Sequence, residues 1–327
     1  MPFARTVLGD IPPAELGIVY AHEHLVIHGG RPIEYQPDFD LADVDKAVAE
    51  LAPAQALGLR TVVDAMPCDA GRDVLMLADI ARRSGVHVIA PSGLHHERYY
   101  HDRHWSVRLS ADEIADLFVA DIEEGIDELD YNGPVVKRTP HRAGVMKIAG
   151  SDDGLRARDE VIFAAAGMAQ HRTGCPILTH CEHGTGALEQ VEFLLRHGAD
   201  PAHIVLSHTD KIVDRDYMRD IAATGARVEY DQHMRWADDQ ANGTLQLLAW
   251  AAEDGLLDHI TIGLDAARQK YWTQFGGSPG WAYLLAEFSA RMRDEIGFGD
   301  AELRMLFVET PGAAYTFGER ASGVGAA

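Results

Sequence analysis

The hexapeptide Tyr20-Ala-His-Glu-His-Leu25 sets two imidazoles one residue apart, directly behind the apolar run Leu16-Gly-Ile-Val-Tyr20. Residues two apart on a strand face the same way, so His22 and His24 can bind one ion while Glu23 points outward. In a chain with 17 histidines such a pair alone is weak evidence. It gains weight from His180, His208 and Asp265, which end other β-like runs, because chance placement would scatter such residues over helices and loops. Imidazole nitrogen and carboxylate oxygen suit zinc first, with manganese, cobalt or iron as alternatives. His171 and His197 fall on helical or loop positions and read as surface residues.

Lys147 lies inside Gly-Val-Met-Lys-Ile-Ala-Gly with no acidic residue beside it. Burial makes an ammonium costly and lowers its pKa, and the neutral amine is a nucleophile. Three readings follow: a structural lysine reaching a carboxylate across the fold, a Schiff-base lysine, or an amine that captures carbon dioxide. The resulting carbamate is a two-oxygen anion able to bridge two metals. The strand-end imidazoles favour it, since a Schiff-base enzyme does not need them. Asp265 can bind a metal and accept a proton from metal-bound water, although the same placement suits a helix N-cap.

The elements that must position these groups alternate along the chain. Apolar, β-branched runs cover residues 17–24, 59–65, 86–93, 144–150, 176–181, 203–208, 226–231 and 260–265. Amphipathic segments begin at 41, 72, 110, 154, 185, 215, 243 and 280, most of them ending at glycine, and a last helix begins at 300. Strand-then-helix units without a low-complexity linker predict an α/β fold, a single (β/α)8 barrel over residues 1–327, with an open doubly wound sheet as runner-up. In such a barrel the carboxyl ends of the strands carry the chemistry, and there His22, His24, His180, His208 and Asp265 fall.

A formal charge of −22 argues against a nucleic-acid partner. Three cysteines without pattern argue against a disulfide framework and for a cytoplasmic setting, and neither a signal peptide nor a membrane span is evident.

The motifs His22-Glu-His-Leu25, Met146-Lys-Ile-Ala-Gly150, Thr179-His-Cys-Glu-His-Gly184, Leu206-Ser-His-Thr-Asp210 and Gly263-Leu-Asp265 together resemble the phosphotriesterase family of the amidohydrolase superfamily. That family includes phosphotriesterases, lactonases and phosphorylated-sugar lactonases. The resemblance implies two divalent metals, one held by His22, His24 and Asp265 and the other by His180 and His208. N6-carboxylated Lys147 and a shared hydroxide would bridge them, Asp265 would move the proton, and a homodimer is a family-level expectation.

Cations near the site mouth of so acidic a chain suggest an anionic small-molecule substrate. The spacing Asp265-x-x-Arg268-x-x-Tyr271 is similar to the phosphate-binding arrangement of the phospho-sugar lactonases. It implies that Arg268 and Tyr271 hold a phosphate, with Arg235 as a third member, and that the enzyme opens a phospho-furanose 1,4-lactone. A surface ion pair for Arg268 is the structural alternative. His95, in the loop after the third strand, is a further candidate for contact with the substrate. Two other readings remain: hydrolysis of an unphosphorylated γ-lactone or acyl-homoserine lactone with organophosphate triesterase side activity, and a non-catalytic ligand-binding barrel. Gln232 departs from the family, which often has Arg or His after the seventh strand's aspartate.

Overall fold

The computed structural model describes residues 2–152, 154–236 and 241–320, so the ends of the expected 1–327 span fall outside it. An N-terminal hairpin, β1 (Ala4–Thr6) and β2 (Gly9–Ile11), precedes the barrel strands. These are β3 (Ile18–Glu23), β4 (Leu59–Asp64), β5 (His87–Ile89), β6 (Pro91–Leu94), β7 (Val145–Gly150), β8 (Ile177–Cys181), β9 (Ile204–Ser207), β10 (Arg227–Tyr230) and β11 (Ile260–Ile262). Every neighbouring pair among them is parallel. Two arcs, β3-β4-β5 and β6 to β11, form the barrel wall.

The arcs meet at two seams. At one, the expected third strand breaks at Ala90, leaving β5 paired with β4 and β6 paired with β7. At the other, Asp265 N donates to His22 O at 3.0 Å and Leu264 N donates to Glu23 Oε1 at 2.6 Å. Glu23 is therefore not a solvent-facing residue. It is fully buried, because the amides just past β11 need an acceptor and its carboxylate supplies one.

Helices α1 (Arg31–Tyr35), α2 (Val44–Ala56), α3 (Val74–Ser84), α4 (Ala111–Glu123), α5 (Ala157–Thr173), α6 (Ala187–Arg196), α7 (Arg215–Ala223) and α8 (Gly243–Asp254) pack outside the wall. Their apolar stripes and the outward strand residues Tyr20, Val62, Val88, Met146, Ile177 and Leu206 make one core. A second, smaller core of Val19, Ala21, Val63, Ile89, Val145, Leu178 and Val205 fills the barrel beneath its mouth. Helix α4 stops well short of residue 129. Gly125, at φ 135°, lies so close to Thr139 that a Cβ there would meet its carbonyl oxygen at 1.9 Å, and the chain leaves the helix to pair Asp127 with Arg138.

One irregularity in β3 decides how the opening motif is used. Ala21, like Val19, belongs to the inner core, so strict alternation would turn His22 out of the barrel. Between the pairs Tyr20↔Val62 and Glu23↔Asp64, however, β3 carries one residue more than β4. This bulge flips the parity, sends His22 inward after Ala21, and places His24 on the same side.

Candidate metal centre and active site

Six of the expected residues converge at the carboxyl end of the barrel. The ring centroids of His22 and His24 lie 5.5 Å apart, those of His22 and His208 4.9 Å, and those of His180 and His208 4.5 Å. Asp265 Oδ1 lies 3.2 Å from His24 Nε2 and 3.9 Å from His22 Nε2. Asp265 follows β11 at φ 46° and His208 follows β9 at φ 68°, left-handed conformations that few residues other than glycine adopt. Lys147, in the middle of β7, is buried and, among the described residues, its amine donates only a long 3.4 Å hydrogen bond to Thr179 O.

The electrostatics suit cations. Burial pulls the pKa values of His22 and His180 well below the ordinary imidazole value and lowers that of His208, so these rings are neutral and free to donate lone pairs. Burial also brings Lys147 down to about 8, despite the raising influence of Glu229, Asp265 and Asp231. The acidic partners missing around Lys147 in sequence are thus supplied by other strands.

His22, His24 and Asp265 offer one atom each, all within 4.8 Å of one another, and His22, His208, Glu229 and Asp231 form an overlapping group. His24 Nδ1 and Glu229 Oε1 are buried without a hydrogen-bond partner, whereas His208 Nδ1 and Asp231 Oδ2 are held against each other at 2.5 Å. Buried polar atoms left this way, on nitrogen and oxygen donors of the right kind, fit a metal centre.

Several residues here were not singled out from sequence. Glu229 Oε2 supports His22 Nδ1 at 3.2 Å, and Asp231 supports His208. Their signal was present in Arg227-Val-Glu-Tyr-Asp231, where two acids alternate within a β-branched run and so share the inward face. Glu182 Oε2 sits between His180 Nε2 at 3.1 Å and His96 Nε2 at 3.0 Å, and also accepts from Arg98 at 2.8 Å. Gln232 donates its side-chain amide to Asp231 Oδ1.

The mouth is a cavity of about 250 Å³, where Lys211, Arg235, Arg268 and Tyr271 lie on the rim and His95 and Tyr99 on the wall. His95 does reach the site, its ring 5.2 Å from that of His180. Arg235 donates to Asp265 Oδ2 at 2.6 Å and to the carbonyls of Asp231 and Leu264, just past the neighbouring strands β10 and β11. Arg268 lines the cavity but is not free: it makes a bidentate pair with Asp38 at 2.9 and 3.0 Å and also donates to Gln36.

A (β/α)8 barrel with clustered imidazoles, carboxylates and a lysine of lowered pKa at its mouth has the architecture of a metal-dependent hydrolase. The chain belongs to the phosphotriesterase family, whose profile matches residues 2–315. It is 36% identical to a protein of Mycoplasmopsis synoviae named phospho-furanose lactonase, over 97% of this chain and 93% of that one. Its fold matches an amidohydrolase from Mycoplasma synoviae with a TM-score of 0.92 at 33% identity, over 98% of this chain and 93% of that one. It also matches a Listeria monocytogenes lactonase with a TM-score of 0.87 at 27% identity, over 97% and 100% of the two chains. No helix among the described residues is long and apolar enough to cross a membrane.

Proposed function

We propose that the chain is a binuclear metal-dependent lactonase that opens a phosphorylated furanose 1,4-lactone. The observation that carries this reading is the small mouth cavity in which Arg268, Tyr271 and Lys211 stand beside the candidate metal ligands. An anionic group on the substrate would find a cationic rim there in a chain that is otherwise acidic. The names of the relatives support the same substrate class. A long acyl chain or a neutral triester has less to gain from such a rim.

In this reading His22, His24 and Asp265 would hold one ion, His180 and His208 would hold the other, and Lys147, once carboxylated, would serve as a ligand to both. Zinc, manganese, cobalt or iron bound there would make hydroxide available near neutral pH and draw electron density from the lactone carbonyl. Glu229 and Asp231 fix the orientation of His22 and His208 from behind. Arg268 and Tyr271 take the substrate phosphate, with Arg268 exchanging Asp38 for it, while Arg235 keeps Asp265 in place. Asp265 accepts the proton of the attacking water and passes it to the departing ring oxygen. The three cysteines, all free and buried, suit a reducing cytoplasmic setting.

The test is kcat/KM on metal-loaded protein for matched phosphorylated and unphosphorylated lactones. Arg268→Ala removes a charge-assisted hydrogen bond worth about 2 kcal/mol, so kcat/KM should fall about 30-fold for the phosphorylated lactone alone, with metal content unchanged. Equal rates on both lactones in the unaltered protein would refute the phosphate assignment.

A further inference from the structure

Beside the mouth, on the far side of His95, lies a second cavity of about 430 Å³ between the loop after β6 and the start of α5. His95 lines both cavities. Three guanidinium groups, Arg31, Arg98 and Arg158, line this one. Two are already engaged: Arg98 with Glu182 at 2.8 Å, and Arg31 with Tyr35 Oη at 2.9 Å and the Tyr100 carbonyl. Arg158 has no hydrogen bond or ion pair with any described residue, and its Nη2 is shielded from solvent without a partner. Glu97 and Asp159 favour its charge without reaching ion-pair distance, Glu97 lying 3.7 Å from Arg156 instead, and the exposed Asp102 lies 4.0 Å from Arg31.

Burial opposes the charge on Arg158, yet a guanidinium stays protonated, so its shielded nitrogen carries an unmet demand for an anionic oxygen. We propose that this cavity is a second anion-binding subsite, distinct from the rim of Arg268 and Tyr271, that takes a small phosphate- or carboxylate-bearing molecule on Arg158. Arg98 and Arg31 provide the surrounding positive field, and the bound molecule abuts His95. The assignment does not depend on the lactonase reading, because it concerns a different cavity and needs no turnover.

Inorganic phosphate and gluconate, each titrated into the metal-loaded full chain by calorimetry, provide the test. Phosphate bound to the unaltered protein should show a site that persists in Arg268→Ala, weakens at least tenfold in Arg158→Ala and is partly restored in Arg158→Lys. Gluconate competing at that site would mark the subsite as general for anionic oxygen, whereas phosphate alone would mark it as a phosphate site. Thermal melts of the Arg158 variants control for folding, with Arg158→Gln replacing the alanine variant if that one melts early. Titrations of a folded Arg158 variant that superimpose on those of the unaltered protein, for both anions, overturn the proposal. Lactone turnover can fail while this binding persists, and the reverse also holds.

Discussion

Lys147 offers a quantitative test of the binuclear centre. Burial brings its amine from 10.5 to about 8. At pH 7 that amine is neutral in about one molecule in ten, against about one in three thousand at the ordinary value, so the form able to attack carbon dioxide is enriched about 300-fold. In metal-free protein the neutral fraction rises with pH through about 8, and carbamate formation should follow it from pH 6.5 to 9. Carbon-13 bicarbonate NMR on metal-free protein reads the carbamate directly, and elemental analysis after reconstitution reads the ions. Two ions per chain are expected with bicarbonate, and fewer without it or in Lys147→Met. The same substitution should stabilise the metal-free, uncarboxylated protein by up to about 3 kcal/mol at pH 7, because it removes a buried ammonium whose folded pKa is depressed. That advantage is full below about pH 8 and fades as pH rises towards 10.5. If no carbamate signal appears at any pH, or Lys147→Met loads metal like the unaltered protein, carboxylated Lys147 does not join the two ions.

Other parts of the structure give sharp expectations. Asp38→Asn should free Arg268 from a half-exposed pair worth about 0.5–1 kcal/mol and lower KM for a phosphorylated lactone about 2- to 5-fold. KM for the unphosphorylated lactone should not move, and an increase for the phosphorylated one would contradict the exchange. Gly93→Ala sets a Cβ 1.9 Å from Lys147 O at a backbone φ of 108°, so denaturant unfolding should show a loss of more than about 3 kcal/mol. A near-normal midpoint would mean that β6 and β7 do not approach this closely. Arg72→Met strands the buried carboxylate of Asp130, leaves Asp121 with Arg138 as its cationic partner, and should cost about 3–5 kcal/mol at pH 7.5. Burial raises the pKa of Asp130 to about 6 even with Arg72 present, so this acid protonates readily once Arg72 is gone. The deficit should therefore shrink at pH 5, and an equal deficit at both pH values would speak against it.

Strand and helix positions were legible because each depends on local periodicity, and the convergence of the candidate ligands was legible because the barrel repeats one rule: polar residues at strand carboxyl ends meet. What escaped sequence reasoning depends on pairing across long separations. Arg268 and Asp38 are 230 positions apart, so a rim cation that looks free in sequence is held in an ion pair in the fold. Glu229 was visible as a charged residue in an apolar run, but its partner His22 lies 207 positions away. The bulge in β3 is the most instructive case. Two imidazoles at i and i+2 share a face whichever face that is, and the opening motif does not say which. The choice is made by a single residue's offset between β3 and β4, a property of the pair and not of either strand. Without that offset His22 and His24 would follow Tyr20 towards the helices, and Glu23 would take their place in the mouth. The histidine pair thus joins the candidate metal site through β4, whose pairing with β3 is interrupted at the point where the chain must turn its imidazoles inward.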